Sequence, residues 1–156
     1  MNLWQIDDAS FRAWHGACWG DLGFPARCTV MPLKHVLVVD DDPLILDILS
    51  RALASAALRV STARRVSMAR DVIMRQPVDL IITDVRIPGE TGLHLAETAK
   101  HLGIATILMS GDPEWAEEHG IPREHYLAKP FDLRQLVALV QASLAEAGTR
   151  ETSGRA

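Results

Sequence analysis

The chain has 156 residues, of which 48% are hydrophobic, and a formal net charge of -4. This length and composition suit one domain with a buried core and a short appendage. The acidic balance argues against binding to a nucleic-acid backbone, which requires surplus basic side chains. No apolar stretch approaches the roughly 18 residues of a membrane span, and Asp7 and Asp8 interrupt the segment where a signal peptide would be apolar. We therefore expect a cytoplasmic protein without direct contact to DNA or membranes.

The first 34 residues differ in character from the rest of the chain. They hold three of the four tryptophans, Trp4, Trp14 and Trp19, yet lack helical or strand periodicity. We expect residues 1–34 to be a poorly ordered N-terminal extension, of which residues 1–30 arise from an upstream start codon. The alternative is a partner-docking arm, since exposed tryptophans often mark interfaces. Cys18 and Cys28 also lie here, without the paired spacing of a metal site, and are expected to be reduced thiols.

After this extension, short apolar strands alternate with amphipathic helices. Residues 35–42, HVLVVDDD, predict a strand that ends in three acids. Asp42 followed by Pro43 is typical of a helix start, and the helix that follows has an apolar stripe. The pattern then predicts an edge-like strand over residues 58–63 and a second helix that opens at Ser67.

The next strand is the most informative part of the sequence. Residues 78–92 read VDLIITDVRIPGETG, and their nearly continuous apolar run predicts a strand that is buried on both faces and ends at Asp84. The remaining predicted elements are a helix over residues 92–102, a strand ending in Ser110, a brief helix over residues 114–119, a strand beginning at Tyr126 and a last helix capped by Asp132. Gly148 then begins a flexible polar tail, residues 148–156.

Five strands alternating with five helices predict a doubly wound α/β sandwich, in which right-handed crossovers cover both faces of a parallel sheet. In such sheets, functional groups gather at the carboxyl ends of the strands. The residues that end the four apolar runs should therefore meet at one edge: Asp40, Asp41, Asp84, Ser110 and Lys129. This set contains the parts of a phosphorylation site.

The chemistry of these residues supports that interpretation. Carboxylates about 4 Å apart repel by roughly 4 kcal/mol at an effective dielectric constant near 20, so the acids favour a hard divalent cation such as Mg²⁺. Asp84 can then act as a nucleophile toward a phosphoryl donor. Lys129 supplies positive charge to the phosphoryl oxygens, and Ser110 offers a hydroxyl donor.

Residues 35–147 resemble the receiver domain of two-component response regulators, through the motifs VVDDDP, LIITDVRIPGETG, ILMSG and YLAKPF. The resemblance implies a flavodoxin-like sheet with strand order 2-1-3-4-5. It also implies a stand-alone, chemotaxis-regulator-like protein, because no further domain follows these residues.

The resemblance also implies individual roles. Mg²⁺ would be held by Asp41, by Asp84 and by the backbone carbonyl of Arg86, with Asp40 acting through water. Ser110 and Tyr126 would form the switch, and the remaining residues would form the rim of the site: Gly111, Asp112 and Pro130. The Lys129–Pro130 peptide bond should be cis. We further expect Arg86 and Asp112 to pair across the mouth of the site and to limit the access of hydrolytic water.

The function that follows is transfer of a phosphoryl group to Asp84 from a sensor histidine kinase or a phosphotransfer protein. Output would be protein binding at the face formed by the fourth helix, fifth strand and fifth helix, rather than classical enzyme catalysis. Short intervals on either side of Ser110 predict truncated third and fourth helices. Two alternatives stay open: a phosphate-independent adaptor with the receiver fold, and a haloacid-dehalogenase-like phosphatase that would use Asp40 and Asp42.

Overall fold

The computed structural model describes residues 33–153. The predicted N-terminal extension, apart from Leu33 and Lys34, lies outside the described residues, as do the last three residues of the predicted tail. None of the described helices is both long and apolar enough to cross a membrane.

The described residues form alternating strands and helices in the predicted order. The main strands are β1 (His35–Val39), β2 (Arg59–Ala63), β3 (Leu80–Asp84), β4 (Ala105–Ser110) and β5 (Tyr126–Ala128). The helices are α1 (Pro43–Ser55), α2 (Val66–Arg75), α3 (Gly92–His101), α4 (Pro113–Glu118) and α5 (Leu133–Ser153). A small antiparallel hairpin, Arg86–Ile87 with Glu90–Thr91, follows β3, and a 3-10 turn, Arg123–His125, precedes β5.

The main sheet has five strands in the order β2-β1-β3-β4-β5, and every pair in it is parallel. The expected 2-1-3-4-5 order is therefore confirmed, with β2 as an edge strand. β1 and β3 occupy central positions, which explains why their apolar side chains are buried on both faces of the sheet.

Each face of the sheet carries its own core. On one face, α1 and α5 contribute buried side chains: Leu46, Leu49, Leu53, Leu136, Val140 and Leu144. On the other face, α2 and α3 contribute a second set: Val66, Ala69, Leu95 and Ala99. Adjacent strand residues point to opposite faces, so that Val36 and Val38 join the first core and Leu37 and Val39 the second. This is the doubly wound arrangement predicted from the sequence.

The helix starts are explained by local chemistry. Asp42 precedes α1, and its side chain accepts a hydrogen bond from the Leu44 amide at 2.8 Å, as predicted. The expected start of α2 at Ser67 is one residue late, because the helix begins at Val66 without a side-chain cap on Arg65. Apolar packing of Val66 holds this end of the helix instead.

The last helix is longer than predicted. It continues through Gly148 to Ser153, so the expected end of the helix at Gly148 is wrong. A single glycine inside a helix costs only about 1 kcal/mol relative to alanine. The helix-favouring residues Ala145, Glu146 and Ala147 precede it and offset that cost.

The third and fourth helices were both expected to be short, and the fourth helix, α4, is clearly short. α4 has six residues and is the shortest of the five helices in the described part. α3 has ten residues, as many as α2.

Candidate functional site

The acids predicted to meet do meet at the carboxyl edge of the sheet. Asp40 directly follows β1 and Asp84 ends β3, and the two strands are paired with Val39 opposite Thr83. Oxygen atoms of Asp40, Asp41 and Asp84 all lie within 4.8 Å of one another. Asp40 is buried, Asp84 is partly buried and Asp41 is exposed. The pocket therefore has a buried floor and an open side.

Lys129 bridges two of these acids from the end of β5. Its Nζ lies 2.8 Å from Asp40 Oδ2 and 2.5 Å from Asp84 Oδ2. Burial alone would lower the pKa of Lys129, but the hydrogen bonds to Asp40 and Asp84 outweigh burial and raise the pKa above its usual value. Lys129 is therefore a permanent positive charge inside the pocket.

The carboxylate of Asp40 is held on both oxygens. Oδ1 accepts a hydrogen bond from the Asp42 amide at 2.9 Å, and Oδ2 binds Lys129. Burial raises the pKa of Asp40, even though the hydrogen bonds from Lys129 and from the Asp42 amide favour its charged form. The raised pKa of Asp40 therefore reflects its burial, which outweighs the hydrogen bonds that it accepts.

The donor set fits a magnesium ion. Three carboxylates face a single lysine, so a divalent cation would offset the excess negative charge. All of the available ligand atoms are oxygens, which Mg²⁺ prefers, and the exposed side at Asp41 leaves room for the water ligands that this ion retains. The cluster can therefore bind a metal of this class.

The backbone around Asp84 is closely packed. The Arg86 amide donates to Asp84 Oδ1 at 2.9 Å and so fixes the carboxylate from the chain that follows it. A Cβ at Gly92 would overlap the Asp84 carbonyl oxygen, so only glycine lets α3 begin this close to β3. The position of Asp84 thus depends on Gly92, which sequence analysis treated only as a helix start.

Ser110 is brought to the same edge. It ends β4 and is buried, and its backbone carbonyl accepts a hydrogen bond from the Lys129 amide at 2.7 Å. Its Oγ accepts from the Asp112 amide at 3.1 Å. A cleft beside the pocket is lined by Asp84, Arg86, Ser110, Gly111, Asp112 and Glu114.

Tyr126 lies at the start of β5, within reach of the loop after Ser110. Its hydroxyl donates to the carbonyl oxygen of Ser110 at 3.3 Å and to that of Asp112 at 3.0 Å. The two residues expected to form a switch are thus in contact. The expected cis peptide bond between Lys129 and Pro130 is also confirmed, and Pro130 lies exposed beside the pocket.

The rim carries the expected ion pair. Arg86 Nη2 lies 3.4 Å from Asp112 Oδ2, and both side chains are exposed. The other oxygen of Asp112 accepts a hydrogen bond from the Trp115 amide at 3.2 Å, which caps the start of α4. Asp112 therefore contacts both the chain after Asp84 and a helix.

Two site residues were missed by the sequence analysis. Arg64 donates to the Asp41 carbonyl oxygen, with Nη2 at 3.2 Å, and thereby ties the loop after β1 to the loop after β2. Glu114 adds a further acid to the cleft beside Asp84. Neither has a sequence signal, because a single arginine in a loop and a glutamate in the first turn of a helix are both common at protein surfaces.

The fold and site together define a class: a doubly wound domain with an acidic, lysine-bridged pocket at the carboxyl edge of its sheet. The family model described as "Response regulator receiver domain" matches residues 36–141. The chain belongs to this receiver domain family, whose members are signalling phosphoacceptors in two-component systems. Phosphorylation and magnesium binding are typical of the family, and its members interact with histidine kinases or phosphotransfer proteins.

Curated relatives are longer proteins. The DNA-binding transcriptional regulator NtrC of Bradyrhizobium sp. (strain RP501 Parasponia) is 32% identical over 130 residues, which cover 79% of this chain and 27% of the regulator. NtrC of Azospirillum brasilense is 37% identical over 121 residues, which cover 73% of this chain and 25% of the regulator. The chain thus spans about a quarter of the length of these relatives.

A solved structure of similar size has the same fold. It is the CheY-like response regulator receiver domain protein from Methanospirillum hungatei JF-1, with a TM-score of 0.67 and 27% sequence identity. The match covers 76% of this chain and 98% of that one.

Proposed function

We propose that the protein accepts a phosphoryl group on Asp84. The observation that carries this proposal is the position of Lys129 Nζ, 2.5 Å from Asp84 Oδ2 in a pocket shared with two further acids. A lysine in this place can neutralise the charge that collects on the phosphoryl oxygens during transfer. Because phosphoryl transfer needs mainly positioning and charge stabilisation, such a pocket supplies most of what the reaction requires.

In the proposed reaction, an Asp84 oxygen attacks the phosphorus of a phosphohistidine on the donor protein. The new bond joins phosphorus to the carboxylate oxygen, the phosphorus–nitrogen bond breaks, and the released imidazole nitrogen takes a proton from solvent. The Arg86 amide holds the other Asp84 oxygen and so orients the carboxylate. Ser110 Oγ accepts a hydrogen bond from the Asp112 amide, so the hydrogen of this hydroxyl would be available to donate to one phosphoryl oxygen.

The residues that would hold Mg²⁺ are Asp41, Asp84 and the Arg86 backbone carbonyl, with Asp40 acting through water. When bound, the ion would supply positive charge against the approaching phosphoryl group. Lys129 would share this task through its contact with Asp84.

The output of the proposed protein is binding of another protein. We place the target on the face formed by α4, β5 and α5, because Tyr126 connects the loop after Ser110 to β5 and thus brings a signal from the pocket to that face. The donor would be a sensor histidine kinase or a phosphotransfer protein in the cytoplasm, and we propose no direct contact with DNA. The only reactions that the protein would catalyse are its own phosphorylation and dephosphorylation.

The geometry argues against the phosphatase alternative. Asp40 would be its nucleophile, but the Asp40 side chain is 1% exposed, whereas that of Asp84 is 14% exposed and lines the open cleft. Asp42 would be its acid, yet the Asp42 side chain caps α1 through the Leu44 amide. Asp84 is therefore the better nucleophile. The adaptor alternative predicts no phosphorylation at all, and the experiment below separates it from the proposal.

The test is incubation with acetyl phosphate and Mg²⁺, with and without a chelator, followed by intact mass measurement. We expect a base-labile mass increase of one phosphoryl group that needs the metal and disappears in Asp84→Ala. Asp47→Ala, which changes an exposed acid on α1, is the matched control and should be phosphorylated normally. No mass increase in the unsubstituted protein would favour the adaptor, and steady phosphate release dependent on Asp40 would favour the phosphatase.

A further inference from the structure

Asp112 is bonded to four different elements of the domain. Its amide donates to Ser110 Oγ at 3.1 Å, and its carbonyl oxygen accepts from the Tyr126 hydroxyl at 3.0 Å. Its carboxylate accepts from the Trp115 amide at 3.2 Å through Oδ1 and lies 3.4 Å from Arg86 Nη2 through Oδ2. One residue thus links the end of β4, the start of β5, the start of α4 and the chain after Asp84.

The contact to Trp115 is important for α4. A helix of six residues is too short to be stable without outside support. The Trp115 amide lies in the first turn of the helix, where backbone amides have no hydrogen-bond acceptor inside the helix. The Asp112 carboxylate supplies that acceptor. Loss of this cap should therefore weaken α4 more than it would weaken a long helix.

The contact to Arg86 is the more easily broken of the two. It is long and exposed, and ion pairs of this kind contribute little free energy. Arg86 lies two residues after Asp84 in the chain, and its amide donates a hydrogen bond to Asp84 Oδ1. Arg86 lines the same cleft as Asp84 and is therefore a second cation, besides Lys129, for a group attached to Asp84.

A phosphoryl group on Asp84 would change this balance of charge. It brings close to two negative charges at neutral pH, and a guanidinium binds phosphate oxygens in a strong two-point geometry. Arg86 would then leave Asp112 for the phosphoryl group. The Asp112 and Glu114 carboxylates line the same cleft and would both be repelled from it.

We propose that Asp112 transmits the charge state of Asp84 to α4 by this exchange of Arg86, an inference that rests on the proposed function. In the unphosphorylated protein, Arg86 steadies the Asp112 carboxylate and the carboxylate caps α4. In the phosphorylated protein, Asp112 loses Arg86, faces a new negative charge and releases the Trp115 amide. The device depends on the charge of Asp112 and so differs from the Ser110 and Tyr126 contact, which is uncharged.

Two substitutions at Asp112 separate the effect of its charge from the effect of its hydrogen bond to the start of α4. Asparagine caps helices about as well as aspartate but carries no charge, whereas alanine does neither. The measurement is hydrogen exchange of the amides of residues 115–119, with those of α2 as an internal reference. Without phosphate, the unsubstituted protein and Asp112→Asn should be equally protected, and Asp112→Ala should exchange roughly fivefold faster.

The decisive comparison is made with acetyl phosphate and Mg²⁺ in excess, with the phosphorylated fraction read by intact mass in the same sample. Phosphorylation should accelerate exchange in α4 of the unsubstituted protein toward the Asp112→Ala rate and leave Asp112→Asn unchanged at the same phosphorylated fraction. Equal acceleration in Asp112→Asn, or a phosphorylated unsubstituted protein with no acceleration, would overturn the relay alone. Absence of phosphorylation in every form would overturn the proposed function and the relay together.

Discussion

Lys129 Nζ lies 2.5 Å from Asp84 Oδ2, although 45 residues of chain separate the two positions. The contact exists because β3 and β5 are both paired with β4, so their carboxyl ends open onto the same edge of the sheet. The same ammonium lies 2.8 Å from Asp40 Oδ2. One cation thus holds two strand ends together electrostatically and marks the acid proposed to receive the phosphoryl group.

Replacing Lys129 with alanine should slow phosphorylation and also destabilise the fold. Loss of a preorganised positive group near a reacting phosphoryl should cost about a hundredfold in rate. Asp40 would become a buried acid without its counter-charge, which we expect to cost about 2 kcal/mol, below the usual cost for fully buried pairs because Lys129 is 23% exposed. Rates follow from acetyl phosphate labelling, and stability follows from urea unfolding.

The matched control for this substitution is Lys100→Ala, which removes an exposed lysine from α3. Lys100→Ala should change neither the rate of phosphorylation nor the free energy of unfolding measurably. A Lys129→Ala protein labelled as fast as the Lys100→Ala protein would contradict the role assigned to Lys129.

Gly92→Ala should disrupt the pocket through the backbone. A Cβ at this position would overlap the Asp84 carbonyl oxygen, and backbone atoms cannot move aside as a flexible side chain would. We expect a loss of about 2 kcal/mol or more in the free energy of unfolding and slower labelling of Asp84. Gly111→Ala is the control, because nothing lies within 4 Å of its added Cβ, and it should change stability by less than about 1 kcal/mol. Equal stabilities for the two variants would refute the steric argument.

Arg86→Ala should shorten the lifetime of the phosphorylated state. The substitution removes the guanidinium that pairs with Asp112 before phosphorylation and would bind the phosphoryl group after it, and so opens the cleft to hydrolytic water. We expect dephosphorylation to accelerate about fivefold, with a change in folding stability below about 1 kcal/mol because the pair is exposed. Decay of the labelled mass after removal of the donor gives the rate, and Arg134→Ala is the control for loss of an exposed arginine. An unchanged decay rate would count against the rim as a barrier to water.

Asp79 lies at the opposite edge of the sheet and should make the free energy of unfolding depend on pH. Its carboxylate accepts hydrogen bonds from the His35 amide at 2.8 Å and from Lys34 Nζ at 2.7 Å. Partial burial alone would raise the pKa of Asp79, but these hydrogen bonds outweigh burial and lower the pKa below its ordinary value of 3.8. The carboxylate is thus easier to ionise in the folded state than in the unfolded state.

The sign of the effect follows from that shift. Stability from Asp79 is fully present above pH 3.8, the unfolded value, and is lost as pH falls through the lower pKa of the folded state. The stability difference between the unsubstituted protein and Asp79→Asn should be constant near neutrality and shrink below pH 3.8. Urea unfolding at several pH values measures it, with Asp47→Asn as a surface control. A difference that grows as pH falls would contradict the assignment.

Much of the site could be predicted because its residues end apolar runs. A buried strand tolerates few polar residues, so Asp40, Asp84 and Ser110 mark strand ends by contrast with what precedes them. Once parallel pairing is assumed, their shared edge follows from topology, as does the position of Lys129. The strand order itself came from family resemblance, because periodicity does not say which strands are neighbours.

The missed features depend on tertiary contacts that leave no local pattern. The need for glycine at position 92 arises from the Asp84 carbonyl, which only the folded packing brings close. Arg64 reaches Asp41 across two loops, and nothing in its neighbouring residues indicates that contact. The end of α5 was wrong because Gly148 was taken as a stop, although a glycine ends a helix reliably only where the chain also turns away.

Borohydride reduction of the labelled protein shows whether Asp84 itself carries the phosphoryl group. Borohydride converts an acyl phosphate to an alcohol, so the phosphorylated aspartate becomes homoserine and can be located by peptide mass spectrometry. We expect homoserine at position 84 and nowhere else in the chain. Homoserine at position 40 or 41, or a labelled protein with an unmodified Asp84 peptide, would contradict it.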